Sequence, residues 1–378
     1  MSSVLKYPIA AFVAQLFDPK GPAPWNSRDA IAAYVAQHGG TSLQLIPGDP
    51  FIDLPRAAES RDYCQQLQGE YVGLGLPDSY AGGISSHIAG QLVAVHPAYR
   101  EQLAGFASSL KDPSVEELSR FGTEQMKLII AASANSGLDF TPSFTGSLLW
   151  PYIYQWPQRP NGLVETALAE QVHRWTPIVA FAAERGVKLG FELHPGEDAY
   201  DLDSFERFRS GFPAELQAFI AVNLDLSHVV LQCADPIEHT KIALREGIVS
   251  CYHVKDAVAD TGSGRHGCYR GLHGWSGKGS DWSFQTPGLG EIDFTVVDAL
   301  LARYGFEGAR TLEWECTTLP KAQGVSHGLN VIRKVRAGGE YPDAPEAEGE
   351  VEAFDNFAST SGEAALIRRL LGLTLVTA

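Results

Sequence analysis

The stretch VKLGFELHP, residues 187–195, reads as a buried strand that ends in chemistry. Its short apolar run fits a strand of a parallel sheet covered on both faces. Glu192 and His194 close the run two residues apart. In a strand, side chains at i and i+2 point to one face, so both groups share a side at the C-terminal tip. The same arrangement recurs three more times. NLDLSH (223–228) ends in Asp225 and His228, YHVKD (252–256) in His253, Lys255 and Asp256, and LEWE (312–315) in Glu313 and Glu315.

Outward from these four runs, strand-like and helix-like patterns alternate. Strands are expected at 7–17, 41–48, 71–76, 138–146, 187–194, 219–228, 249–256 and 309–316. Between them lie apolar spacings of three and four, at 27–38, 114–137, 163–186, 235–247 and 293–305. Ser114 with Glu117 three residues later has capping-box spacing, and Gly186 has the look of a helix C-cap. Alternating β and α units predict a parallel sheet with covering helices, and eight of them predict a (β/α)8 TIM barrel. A doubly wound open sheet is the alternative, but the first strand lacks the glycine-rich dinucleotide turn.

Residues 1–337 are read as the barrel domain, and residues 338–378 as an acidic linker with a C-terminal helical extension that packs on the barrel or a partner. Two long loops, 77–99 and 257–293, follow the third and seventh expected strands; loops of that length tend to be functional. His87 and His96, in the first, read as surface or lid residues. The net charge of −16 disfavours nucleic acid and anionic membrane surfaces as partners. No run approaches the roughly 20 apolar residues of a membrane span, and the N-terminus has no signal-peptide pattern. Five scattered cysteines without a CxxC pair fit a reducing cytoplasm.

Four strand tips bearing acids at the mouth of an apolar core need a counter-charge. Burying one unpaired carboxylate costs several kcal/mol or forces it neutral. A divalent metal resolves this for several at once. Carboxylate and imidazole ligands without thiolate suit Mn2+, Mg2+, Co2+ or Zn2+ rather than a structural zinc site. The bland reading is a buried ion-pair network.

Six segments taken in order, SFTGSLLW (143–150), ELHPGEDAYD (192–201), DLSH (225–228), YHVKDA (252–257), GLGEIDF (288–294) and LEWEC (312–316), resemble the xylose isomerase-like barrel superfamily, in its sugar phosphate isomerase/epimerase branch. The resemblance spans roughly residues 110–335. It implies one divalent metal, Mn2+ foremost, on Glu192, Asp225, His253 and Glu313, with Glu315 as the substitute for Glu313. It also implies that Glu192 and Glu313 exchange the proton beside a carbonyl. His228 completes the catalytic set, on substrate oxygens or a second metal. His194, Lys255, Arg265, Arg270 and Glu315 are the candidates for substrate binding.

The implied activity is isomerisation or epimerisation of a small sugar or keto-sugar. The same branch includes barrels that act on 3-keto sugars, including subunits that eliminate the aglycone of an oxidised C-glycoside. A lyase or dehydratase, with or without a small partner subunit, is therefore the alternative. The family's further glutamate and arginine after the first and third ligands have no match here: the nearest acids after Glu192 are Glu197 and Asp198, and no arginine follows His253 before Arg265. A multinuclear phosphodiesterase is opposed by the acidic balance, and a non-enzymatic sugar-binding subunit stands as a fourth reading. Barrels of this kind often associate, so a homo-oligomer is expected.

Overall fold

In the computed structural model, residues 7–259, 269, 282–349, 351, 370 and 371 are described. Seven parallel strands form one sheet. They are β1 (Ile9–Phe12), β2 (Ser42–Gln44), β3 (Phe140–Ser143), β4 (Lys188–Glu192), β5 (Ile220–Asp225), β6 (Val249–Val254) and β9 (Arg310–Leu312). Their order is β2-β1-β9-β6-β5-β4-β3. A separate antiparallel pair joins β7 (Asp256–Ala259) to β8 (Trp282–Gln285). Long helices cover the sheet, among them Val115–Asn135, Leu163–Ala183, Phe294–Arg303 and Lys321–Arg336. The capping box of Ser114 and Glu117 forms as its spacing predicts.

The third expected strand is a correction. Residues 71–73 are the last turn of helix Arg61–Gly73. Leu67 and Tyr71, four apart, are both buried, so this short apolar run follows the helical period rather than the strand period. The place between the edge strands β2 and β3 is taken by residues further on. Leu45 bridges Ile84 in parallel, Leu45 N donates to Gly83 O at 2.9 Å, and Ser86 N donates to Pro142 O at 2.8 Å. The loop expected over 77–99 accordingly contains a short helix, His87–Gln91.

Register decides which side chains meet. Between β5 and β6 the pairing shifts by one residue after Val222, so that Asp225 lies opposite His253. Without that bulge Asp225 would oppose Tyr252, whose side chain is on the other face of the strand. The bulge crowds β4, where a Cβ on Gly190 would lie 2.6 Å from Ser250 Oγ and 2.5 Å from Cys251 Sγ. Glycine is what KLGFE needs at that place.

From Ala337 to Gly349 the chain runs without regular structure along two helices. Gln323 bonds both Glu346 O and Glu348 N, and Tyr341 Oη lies 3.3 Å from Thr295 N. Apart from Leu370 and Leu371, the expected C-terminal helix falls outside the described residues. Among those described, no helix is long and apolar enough to cross a membrane.

Candidate metal centre

Glu192 and Asp225 are the last residues of β4 and β5, His253 is the penultimate residue of β6, and Glu313 directly follows β9. Each is carried by a buried strand, and each is itself at most 5 % exposed. One donor atom from each of the four lies within 4.8 Å of the others. His253 Nδ1 is 3.0 Å from both Glu192 Oε2 and Glu313 Oε2. Donors bound to one divalent ion at about 2.1 Å sit roughly 3 Å apart when adjacent. The spacing therefore suits a common ion.

The polar surroundings suit it too. Gln44 Oε1 is 3.0 Å from His253 Nε2. With the amide oxygen accepting there, Nε2 keeps its proton, and Nδ1 is the nitrogen whose proton an ion would displace. Gln15 donates to Glu313 Oε1 at 2.6 Å. Asp225 Oδ1 accepts from the Ser227 backbone N–H at 2.9 Å and its hydroxyl at 2.6 Å. Asp225 Oδ2 is buried and makes no aligned hydrogen bond among the described residues. Its near neighbours are Lys255 Nζ at 3.0 Å and His228 Nε2 at 3.6 Å. A carboxylate oxygen that has an ion pair but no aligned hydrogen bond, turned into a cluster of acids, is a donor that a metal ion could share with Lys255.

The charges are tightly balanced. Burial raises Glu192, but the His253 charge and hydrogen bonds from His228, His253 and His87 outweigh it and hold the acid well below the usual carboxylate range. Glu313 is likewise held low, burial being outweighed by the charges of Lys255 and His253. Burial raises Asp225 against the pull of Lys255 and His228. Burial would lower His253, yet Glu313 and Glu192 lift it to about 10.

A second tier of side chains sits two residues further along the same strands. Lys255 Nζ is 2.9 Å from Glu313 Oε2, 3.1 Å from Glu315 Oε2 and 3.2 Å from His228 Nε2. It also lies 4.7 Å from the centroid of the Phe284 ring. Glu315 meets Lys255 rather than the ligand cluster, so geometry favours Glu313 over Glu315 as the fourth donor. Burial, with the Glu313 charge added, pushes Glu315 up to about 8 despite Lys255. His194 stacks edge-on against His228 at 4.1 Å.

Lys255 does not pair with its sequence neighbour Asp256. Asp256 instead accepts the backbone N–H groups of Gly288, Gly290 and Ile292 at 3.0, 2.9 and 3.2 Å. It thereby anchors the GLGEID turn. A Cβ on Gly290 would fall 2.2 Å from its carboxylate, which is why glycine stands there.

Arg265 and Arg270 lie outside the described residues. His87, read from sequence as a surface or lid residue, is buried, and its Nε2 is 3.2 Å from Glu192 Oε2. His96 is half-buried and caps a short 3-10 turn at Pro97–Tyr99. Gln15, Gln44 and Asn223 also escaped the sequence reading. They are neutral amides, Gln15 in the turn after β1, Gln44 at the end of β2 and Asn223 within β5, and no local pattern separates them from ordinary polar positions. Glu197 and Asp198 follow Glu192 in sequence but turn away from the cluster. Asp198 accepts from Leu148 N, Leu149 N, Ser147 Oγ and Gln171 Nε2 and so fixes the loop after β3.

A family model described as xylose isomerase-like TIM barrel matches residues 32–335. No curated protein matches the chain in sequence. Among solved structures, the probable 3-DHS dehydratase AsbF of Bacillus anthracis, involved in petrobactin synthesis, aligns with a TM-score of 0.57 at 13 % identity, over 86 % of this chain and 98 % of that one. The 3-keto-D-glucoside 4-epimerase YcjR of E. coli, in its apo form, aligns with a TM-score of 0.54 at 12 % identity, over 87 % and 99 %. The IOLI protein, solved with a bound zinc atom, aligns with a TM-score of 0.54 at 14 % identity, over 89 % and 100 %. At these identities the likeness is one of fold.

Proposed function

The chain belongs to the xylose isomerase-like TIM-barrel family, and from that premise we propose that it is a divalent-metal-dependent isomerase or epimerase of a sugar or keto-sugar. The observation that carries this reading is the buried quartet of Glu192, Asp225, His253 and Glu313, gathered within 4.8 Å. In this reading residues 83–86 supply the remaining stave of an eight-stranded barrel. An ion held by the quartet would polarise a substrate carbonyl and offset the negative charge that develops on its oxygen.

The protein's own groups then move the proton. Glu192 takes it from the carbon beside the carbonyl, and the C–H electron pair passes into an enediolate. Glu313, protonated in the substrate complex, gives its proton to the opposite face or the neighbouring carbon, and the proton on Glu192 passes to solvent to reset the pair. His228 and Lys255 hold substrate oxygens, with His194 and Glu315 beside them. The acidic cluster and the lack of a basic run favour an unphosphorylated substrate.

One contact favours a second reading. Both oxygens of Glu313 are engaged, Oε1 by Gln15 at 2.6 Å and Oε2 by Lys255 at 2.9 Å. A carboxylate tied at both ends is a poor proton shuttle. Elimination needs only one base. Glu192 takes the proton, the pair left behind forms a C=C bond, and the C–O bond at the next carbon breaks as its oxygen leaves with a proton. A lyase or dehydratase acting on a 3-keto sugar or glycoside would use the same centre.

The deciding experiment is elemental analysis of the purified chain, followed by incubation with Mn2+ and a panel of 3-keto-glucose, its glycosides and common ketoses in D2O. Deuterium beside the carbonyl in an isomerised product supports the first reading. Release of water or an aglycone supports the second. A protein that binds no divalent ion and exchanges no substrate proton has neither function.

A further inference from the structure

The four clustered donors are anchored in two different ways. Asp225 and Glu313 are held by the oxygen turned out of the cluster, through Ser227 on Oδ1 and Gln15 on Oε1. His253 is held by its far nitrogen through Gln44. Glu192 is reversed. Its Oε2, the oxygen 3.0 Å from His253 Nδ1, also accepts from Asn223 Nδ2 at 2.8 Å and faces His87 Nε2 at 3.2 Å. Among the described residues, its Oε1 has one polar partner, His228 Nε2 at 3.2 Å.

We infer that His87 and Asn223 are positioning residues that clamp Glu192 by Oε2 and leave Oε1, beside His228, as the oxygen that exchanges the substrate proton. The inference rests on the proposed chemistry for what Glu192 does, though not for the clamp itself.

The donor state of His87 follows from what its Nε2 faces. A carboxylate oxygen only accepts, so Nε2 carries the proton and donates to Glu192. Ser85 Oγ is 2.7 Å from Nδ1, where in the neutral ring its hydroxyl donates. Packing fixes the ring as well, with Phe12 at 5.7 Å and Phe144 at 4.6 Å between centroids. Asn223 is brought to the same oxygen by register, since it is the β5 partner of Glu192. A carboxylate that accepts two buried donors on one oxygen cannot rotate without losing both. Two consequences follow. Oε2 is kept beside His253 and the ion site, and Oε1 is aimed away from both donors.

Two substitutions separate positioning from packing. His87→Phe keeps the ring between Phe12 and Phe144 but removes the donor, whereas His87→Gln keeps an N–H near the same place. The expected result is a loss of roughly 10- to 100-fold in Mn2+ affinity by calorimetry for the Phe variant, largely restored in the Gln variant. Mn2+ binding by His87→Phe equal to wild type would overturn the inference, as would a Gln variant no better than Phe. If the wild type binds no Mn2+ the proposed function fails instead. The clamp is then decided by thermal unfolding in chelator across a double-mutant cycle of His87→Phe and Glu192→Gln. Non-additive melting temperatures, by several degrees, support it, and additive ones overturn it.

Discussion

His253 Nδ1 stands 3.0 Å from Glu192 Oε2, and that contact gives the ring a proton which an incoming ion must displace. Burial by itself would lower the imidazole, but the charges of Glu313 and Glu192 carry it to about 10, so the ring is protonated at neutral pH. A metal needs the Nδ1 lone pair. Titrating the chain with MnCl2 at pH 7.5, in buffers of different ionisation heat, should therefore reveal release of about one proton per ion. Because binding expels a proton, apparent affinity should climb with pH by up to about tenfold per unit while His253 remains protonated. Binding without proton release, and with no pH dependence, would remove His253 from the ligand set.

Lys255 has a different part in the same balance. Its ammonium is buried against Asp225, Glu313 and Glu315 at 3.0, 2.9 and 3.1 Å. Lys255→Met leaves those carboxylates without their cation. Breaking a buried pair on one side typically costs about 3–5 kcal/mol, much of it from the charge left behind. The variant should melt well below wild type in chelator, and added Mn2+ should raise its melting temperature more than it raises that of wild type. Equal stabilisation of both proteins by Mn2+ would show that Lys255 does not share the carboxylates with the ion.

The candidate ligands were legible because each acid or imidazole closes an apolar strand run, a place where a solvated side chain has no reason to be. Glu192, Asp225, His253 and Glu313 all carry that signature. His87 lacks it, since Gly83-Ile84-Ser85-Ser86 before it is no apolar run, and only the bridge of Ile84 to Leu45 brings it beside the strand ends. Placing the third strand on YVGLGL left His87 in a loop. The aromatic and β-branched run misled because a short apolar stretch does not reveal its period. Gln15, Gln44 and Asn223 act through distance in space, with Gln15 reaching Glu313 across the sheet. No spacing in sequence carries that information. The bulge that sets Asp225 against His253 is equally silent, since Gly190 and Ser250 reveal it only once β4 and β6 flank β5.

Glu197 predicts a pH effect away from the ligands. It is 2 % exposed, and burial with the adjacent Asp198 charge raises it to about 8. The folded state therefore keeps a proton that the unfolded chain, with its carboxyl near 4.5, gives up earlier. Stability from this group is complete below about 4.5 and drains away as pH rises towards about 8. At about 1.4 kcal/mol per unit, the loss has an upper bound of roughly 5 kcal/mol. Glu197→Gln copies the protonated form. It should match wild type near pH 5 and melt higher than wild type at pH 8.5. A constant difference between the two proteins across that range would mean that Glu197 ionises as readily in the fold as outside it.

Gln44 tests whether orientation of His253, rather than its mere presence, matters to the centre. Its amide oxygen is the acceptor for Nε2 at 3.0 Å, and once an ion displaces the Nδ1 proton that bond keeps the remaining proton on Nε2, with Nδ1 facing Glu192 and Glu313. Gln44→Leu leaves the ring in place but frees its tautomer and its tilt. Loss of such an outer partner commonly costs about 10- to 100-fold in metal affinity. Gln44→Glu offers a stronger acceptor at the same atom and makes the imidazole a better donor, so it should bind Mn2+ at least as well as wild type. The two substitutions move affinity in opposite senses only if the Nε2 contact governs the ring. If both weaken binding equally, the site is responding to disturbed packing around β2, and the tautomer is set elsewhere.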